Sequence, residues 1–158
     1  MDAVIRKAEA KDVPEIVENW KELIQGNVRY ERVLCRLVPD NVQIYRKYLR
    51  KQIAARKARV FVADADGKII GHVMVEVKKI PPCYEIGNEA YVGELFVKGK
   101  FRGKKIGTRL LGAAEEWAKK RGVRQFSLTV HVKNGRAKRV YKSFGLREFN
   151  FKLVKIIG

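Results

Sequence analysis

With 158 residues, 46% of them hydrophobic, the chain is long enough to bury about two-thirds of its unfolded surface in one core, which predicts a single domain over residues 1–158. No apolar run approaches the ~18 residues that span a bilayer, and the N-terminus lacks a signal-peptide core, so no membrane contact and a cytoplasmic location are expected. Cys35 and Cys83 stand apart without CxxC spacing or a histidine cluster, which argues against a disulfide, a metal site or a catalytic thiol.

The net charge of +18 is the most unusual global property of the chain. Residues 29–60 alone hold ten basic residues against two acids. Such a balance favours attraction to nucleic acid or another polyanion, and it is equally compatible with a source whose proteins are rich in lysine and arginine. A basic surface is therefore expected in this segment, but a nucleic-acid function does not follow from it.

The first third of the chain predicts a strand followed by two helices. Residues 4–8 are predicted as the strand, and Asp12 is predicted to cap a helix, with Glu15 completing a capping box. A connecting segment of residues 26–39 leads to a second helix over residues 40–57, which has an apolar side and a strongly basic side.

Three strands are predicted in the middle of the chain. Residues 60–63 and 68–80 read as the arms of a hairpin, because residues 64–67 (DADG) carry a turn signal. The apolar run of residues 91–97 has the length and composition of a buried strand. His72 has no acid or histidine at ligand spacing in its strand, which favours a structural histidine.

The last third predicts a helix, a strand, a short helix and a final strand. The first helix begins near Thr108, and residues 124–132 alternate as a strand. Asn134 is predicted to cap the short helix, which Gly145 ends, and residues 146–156 are predicted as the last strand.

A glycine-bearing basic loop lies between the strand of residues 91–97 and the helix near Thr108. Residues 98–109 hold three glycines and six basic residues and no acid. Free N–H groups at the helix start, glycines that allow close approach and basic side chains together suit a phosphate. An ordinary turn with a solvated lysine-rich loop is the alternative. The glycine spacing matches neither a P-loop nor a dinucleotide fingerprint.

Two motifs in this part of the chain resemble those of the GNAT superfamily of N-acetyltransferases. Residues 102–107 (RGKKIG) resemble the acetyl-CoA loop [QR]-x-x-G-x-[GA], matching at Arg102 and Gly107 and departing at Lys105, where the family usually has glycine. Residues 134–146 (NGRAKRVYKSFGL) resemble the second motif, N-x-x-A-x-x-[LF]-Y-x-x-x-G-F. The resemblance implies an α/β fold in which helices flank a mixed, mostly antiparallel sheet, in the order β-α-α-β-β-β-α-β-α-β.

The resemblance also implies the binding of acetyl-CoA as co-substrate, with no metal. The backbone of Leu95, Phe96 and Val97 would pair with the pantetheine arm as an added strand does. Asn134 would contact the pantetheine, and Tyr141 would protonate the leaving thiolate as general acid. Backbone amides at the start of the helix would hold the pyrophosphate, namely those of Arg102, Gly103, Lys104, Lys105, Ile106, Gly107 and Thr108.

Acetyl transfer also needs a neutral acceptor amine, although a lysine-type amine has a pKa near ~10.4. Glu89 and Glu94 are the candidate bases, and a backbone-and-water route is the third alternative. Because the two glutamates lie five residues apart, they would face opposite sides of a regular strand, so only one of them could face the cleft.

The sequence therefore predicts an acetyl-CoA-dependent N-acetyltransferase that acts directly on a primary amine. A protein N-terminus, a lysine side chain and a small-molecule amine all stay open as the acceptor. The alternative is a non-catalytic, basic nucleic-acid-binding module on a GNAT-like scaffold. An enzyme whose substrate is a nucleic-acid-associated protein would reconcile charge and catalysis, and a homodimer is also open because such folds often pair.

Overall fold

The structure is a computed structural model that describes residues 3–157. Its centre is one five-stranded sheet in which the strands lie in chain order. The first four strands pair antiparallel, and the fifth pairs parallel with the fourth, so the predicted mixed, mostly antiparallel sheet is confirmed. The strands are β1 (Val4–Lys7), β2 (Ala58–Ala65), β3 (Lys68–Lys79), β4 (Asn88–Val97) and β5 (Gln125–Leu128).

Four α-helices flank the sheet and divide the core in two. One core cluster lies between the sheet and the first two helices, and the other packs the third helix on the opposite face. None of the helices within residues 3–157 has both the length and the apolar character needed to cross a bilayer. The helices are α1 (Val13–Val28), α2 (Asn41–Ala54), α3 (Ile106–Lys119) and α4 (Gly135–Ser143).

The β2–β3 hairpin turns at the predicted place. Asp66 and Gly67 occupy the two turn positions with φ of 51° and 83°. Two successive positive φ values define the type I′ geometry, whose twist matches that of the flanking strands.

The capping box predicted at the start of α1 is wrong. The carboxylate of Asp12 accepts two hydrogen bonds of 2.8 Å from the Arg6 guanidinium and one of 2.7 Å from the N–H of Glu9. Glu15 instead accepts from the N–H of Ile69 at 3.0 Å. A charge-assisted, two-pronged pair with arginine is stronger than a neutral cap, and it ties β1 to the start of the helix.

Three predicted helix boundaries shift, and the strand predicted over residues 124–132 is shorter, since β5 ends at Leu128. The first helix continues through Gly26 to Val28, because its apolar stripe outweighs the ~1 kcal/mol cost of one glycine. The second ends at Ala54. The third begins at Ile106, two residues before the predicted start, because the Ile106 side chain is buried in the core.

The predicted last strand, residues 146–156, is also wrong. Within the described residues this segment has no regular secondary structure and no ladder partner. The side chains of Phe149, Phe151 and Leu153 are 78% to 94% exposed. Alternation of apolar residues tells which side chains could share a face of a strand, but it does not supply an edge with which to pair.

Candidate functional site

A β-bulge interrupts the centre of β4. Val92 pairs with Val75 of β3, but the next pair along joins Glu94 to Met74, so Gly93 is an extra residue on its strand. A bulge bends its strand and reverses the alternation of side chains beyond it.

The bulge places both candidate bases on one face of the sheet. Glu89 pairs with Lys78 and Glu94 with Met74, two β3 residues of the same parity, and Met74 packs in the cluster beneath α1 and α2. The prediction that the two glutamates face opposite sides is therefore wrong. The signal was present in the sequence, since a glycine inside a strand often marks a bulge.

Glu94 lies in a polar cluster under α2. Its Oε2 accepts a hydrogen bond of 2.7 Å from the Tyr45 hydroxyl, and the Nε2 of His72 lies 3.2 Å from the same oxygen. The Glu94 side chain is 15% exposed, whereas His72 is completely buried. No local sequence pattern predicts this contact, because it joins three separate elements.

Tyr45 is the functional candidate that sequence analysis missed, since its spacing only marked it as part of an apolar stripe. Its ring stacks on Trp20 with the centroids 4.2 Å apart and the planes 7° apart. Burial, and then the charge of Glu94, raise the pKa of the Tyr45 phenol far above its usual value. Tyr45 therefore stays protonated and donates to Glu94.

Glu89 has a different environment from that of Glu94. Its Oε2 accepts hydrogen bonds from the Ser127 hydroxyl at 2.5 Å and from the Gln125 side-chain amide at 3.1 Å. Both donors lie on β5, in the stretch that pairs with the start of β4. Glu89 thus joins the two strands, which is a structural use of its carboxylate.

The pairing of β4 with β5 ends at the bulge. Their pairing covers Glu89 to Val92 on β4 and ends at Leu128 on β5. Among residues 3–157, the β5-facing edge of residues 93–97 has no ladder partner. The hydroxyls of Tyr91 and Thr129 lie 3.1 Å apart at the point of separation. Backbone groups of Leu95, Phe96 and Val97 therefore border an open slot.

The basic loop ends at the start of α3 with an unusual backbone. Gly103 has a φ of 81°, and Lys105, at the N-cap position, has a φ of 59° and a ψ of 9°. The left-handed conformation is favourable for glycine and costly for lysine. Lys105, at the position where the motif usually has glycine, thus adopts a conformation that suits glycine better than lysine.

Two further loop residues show how the helix start is held. The Arg102 side chain lies against the end of β4, because its Nε donates to the Val97 carbonyl at 2.8 Å and its guanidinium lies 5.8 Å from the centre of the Phe96 ring. A Cβ at Gly107 would lie 3.8 Å from Val97, an ordinary contact. Packing within the chain therefore does not require a glycine at 107.

The helix α4 brings the second motif beside β5. Asn134 is the predicted N-cap, since its Oδ1 accepts from the Ala137 N–H at 3.1 Å. The centroids of the Phe144 and Phe126 rings lie 6.1 Å apart, and this pair packs the helix on the strand. Tyr141 is half-buried against the α3-side core, and this burial raises the pKa of its phenol. The Tyr141 hydroxyl is thus protonated at neutral pH.

A groove runs between α1 and α2, which we call the helical groove. It consists of two adjoining cavities of about 330 and 630 Å³, both lined by Trp20, Arg36, Leu37 and Asn41. Tyr45, the donor to Glu94, lines the smaller one. At the C-terminal end of α1, the connecting segment contacts the segment that follows β5, because Tyr30 stacks on His131 with centroids 5.2 Å apart.

Comparison with protein families gives one match over most of the chain. A family model described as the acetyltransferase (GNAT) family matches residues 20–146. A protein of Archaeoglobus fulgidus named an uncharacterized N-acetyltransferase is 32% identical over 143 residues, which cover 90% of this chain and 92% of that relative.

Solved structures share the fold at low sequence identity. The BH1408 protein of Bacillus halodurans, solved as a tetramutant, superposes with a TM-score of 0.85 and 24% identity, covering 98% of this chain and 99% of that one. A predicted acetyltransferase of Clostridium acetobutylicum, solved with acetyl-CoA, gives a TM-score of 0.79 and 23% identity, with coverage of 98% and 96%.

Proposed function

The chain belongs to the acetyltransferase (GNAT) family, and from this membership we propose that it moves the acetyl group of acetyl-CoA directly to a primary amine. The observation that carries the proposal is the parting of β4 from β5 at the bulge, directly beside the Glu94 carboxylate. The Clostridium acetobutylicum protein of the same fold was solved with acetyl-CoA. This supports acetyl-CoA as the co-substrate here.

In the proposed complex the pantetheine arm enters the slot beside β4. Its amides would pair with backbone groups of Leu95, Phe96 and Val97 on the edge that faces β5, where Arg102 would give up its hydrogen bond to the Val97 carbonyl. The pyrophosphate would lie at the start of α3, where unpaired N–H groups and the positive end of the helix dipole face it. The loop residues 102–108 and Asn134 would complete the contacts to CoA.

We assign the role of base to Glu94. The acceptor amine gives up a proton to this carboxylate, directly or through one water molecule, and its nitrogen then attacks the thioester carbon. An amide of β4 near Phe96 or Val97 stabilises the oxyanion. The hydrogen bond from Tyr45 and the contact with His72 hold the carboxylate in place.

Tyr141 completes the proton balance as general acid. When the carbon–sulfur bond breaks, the CoA thiolate takes the proton of the Tyr141 phenol, and the second proton that the attacking nitrogen loses restores the phenol through solvent. The raised pKa that burial gives this phenol keeps it protonated at the working pH, as a general acid must be.

The assignment is tested by steady-state kinetics with acetyl-CoA and a panel of amines. Glu94→Gln removes the base, so we expect kcat/KM to fall by about 10²- to 10⁴-fold, and Tyr141→Phe should lower kcat by a factor in the same range. Glu89→Gln is the matched control, and its activity should stay within about threefold of the parent because Glu89 joins β4 to β5.

Thermal unfolding of the three variants checks that each one is folded. A larger loss of activity in folded Glu89→Gln than in Glu94→Gln would reverse the assignment of the base. An undiminished rate in Tyr141→Phe would remove the tyrosine from the mechanism.

A second candidate function is the non-catalytic module that binds nucleic acid. A third is an acetyltransferase whose substrate is a nucleic-acid-associated protein. The exposed basic side of α2 favours the non-catalytic module, since Arg46, Lys47, Arg50 and Lys51 all point to solvent. Neither Tyr141 nor the Glu94 cluster has a use in such a module, so acetyl transfer is the function we prefer.

A homodimer is also proposed, supported by the exposed apolar side chains of residues 149–157. Light scattering of the purified chain tests it through the molar mass in solution. A mass of one chain at all concentrations would contradict it. The cytoplasmic location stays a prediction of the sequence.

A further inference from the structure

The floor of the helical groove is apolar and accessible. Leu37, Val38 and Ile44 line it with side chains that are roughly half exposed, and Tyr48 forms its edge. Apolar surface of this kind marks contact sites on soluble proteins. An open groove with such a floor suits an extended chain better than a small molecule, which is usually enclosed on most sides.

All charged side chains lining the helical groove are basic. Lys21, Arg32 and Arg36 line it, and its two cavities have no acidic lining residue. Lys21 is paired with Glu18 at 2.7 Å. Within residues 3–157, Arg32 and Arg36 have no carboxylate partner at salt-bridge distance. The two arginines are therefore available to anions of a ligand.

The groove leads to the candidate base through one residue. Tyr45 lines the groove, and its hydroxyl donates to Glu94. The buried Tyr45 side chain thus belongs to the groove wall at one end and contacts the carboxylate at the other, so the groove and its arginines lie within one tyrosine side chain of the candidate base. Because one extended residue spans ~3.4 Å, the first two or three residues of a bound chain would cover the length of the tyrosine side chain.

We propose that the acceptor is the free N-terminus of an acidic polypeptide. Apolar side chains near its start would lie on the groove floor, and aspartates or glutamates further along would bind Arg32 and Arg36. The inference rests on the proposed acetyl transfer and adds the class of acceptor.

The chemistry of the amine agrees with this acceptor. An α-amino group has a pKa near ~7.7–8.0 against ~10.4 for a lysine side chain. At neutral pH a much larger fraction of α-amino groups is therefore already neutral, and a single carboxylate has to remove a proton from fewer of them. A net charge of +18 attracts an acidic chain and repels polycationic amines such as polyamines.

Two synthetic peptides of equal length test the proposal. They share the same three uncharged first residues and differ only in later positions, which are aspartate in one and lysine in the other. At low salt we expect kcat/KM for the acidic peptide to exceed that of the basic one by about tenfold or more, and to fall as salt is added. Mass spectrometry should find the acetyl group on the α-amine.

The variant Arg36→Glu reverses the charge in the groove and should remove the preference for the acidic peptide. Arg56→Glu is the matched control, because Arg56 is exposed outside the groove and the change in net charge is identical. We expect Arg56→Glu to keep most of the preference.

The inference would be overturned by equal or faster transfer to the basic peptide, by acetylation of its lysine side chains, or by equal effects of the two variants. Transfer to small amines but to neither peptide would also overturn it and leave the proposed function standing. If no amine is acetylated, and acetyl-CoA is not bound, the proposed function itself fails.

Discussion

Lys105 stands immediately before α3 with a φ of 59°. A side chain in this left-handed region costs about 1–2 kcal/mol, because its Cβ crowds the following carbonyl, and glycine avoids that cost. Glycine in turn lowers the free energy of unfolding by about 0.4–1 kcal/mol, because it gives the unfolded chain greater freedom. The lysine thus adds a basic group beside the helix start and makes the chain less stable.

Lys105→Gly should therefore raise the free energy of unfolding by about 0.5–1 kcal/mol. Denaturant unfolding measures it, with Lys104→Gly as the matched control. Lys104 is not among the described residues with positive φ, so its replacement should lower stability slightly. A loss of stability in Lys105→Gly would mean that the left-handed turn is not strained.

At the scale of elements, the sequence predicted which strands and helices form better than how they meet. The Asp66–Gly67 turn depends only on neighbouring residues, so its position could be predicted from the sequence. The Tyr45–Glu94–His72 cluster joins α2, β4 and β3, and no local pattern contains it. The Gly93 bulge was readable in principle, but strict alternation was assumed along that strand. The segment 146–156 alternates without an available edge.

The Arg6–Asp12 pair joins β1 to α1, and it makes stability depend on pH. The guanidinium and the Glu9 N–H lower the pKa of the Asp12 carboxyl. A pKa below the unfolded value of ~3.9 means that the contribution to stability is present above about pH 4 and is lost as the pH falls below it.

Asp12→Asn should cost about 2 kcal/mol of unfolding free energy at pH 7, the typical value of a hydrogen-bonded charge. The difference in unfolding free energy from the parent should narrow as the pH falls below about 4, because protonation of Asp12 in the parent removes the same charge. Denaturant titrations at several pH values measure it. Asp66→Asn is the control, since Asp66 is exposed in the hairpin turn, and a gap that is constant with pH would contradict the account.

At the scale of the whole molecule, a charge of +18 ensures attraction to polyanions whatever the function is. We therefore expect a random DNA duplex to bind at about 50 mM salt and to lose affinity by about 10³-fold or more at about 200 mM. Fluorescence anisotropy measures this. Tight binding that persists at the higher salt and depends on sequence would favour the nucleic-acid module.

The central claim is that the slot beside β4 and the start of α3 hold acetyl-CoA. The most direct test is calorimetric titration of the purified chain with acetyl-CoA, with CoA and ATP as comparisons, at about 0.2 M salt, where non-specific attraction is screened. We predict one site of about micromolar affinity for acetyl-CoA and no comparable heat with ATP. No binding of acetyl-CoA, or equal binding of ATP, would contradict the account.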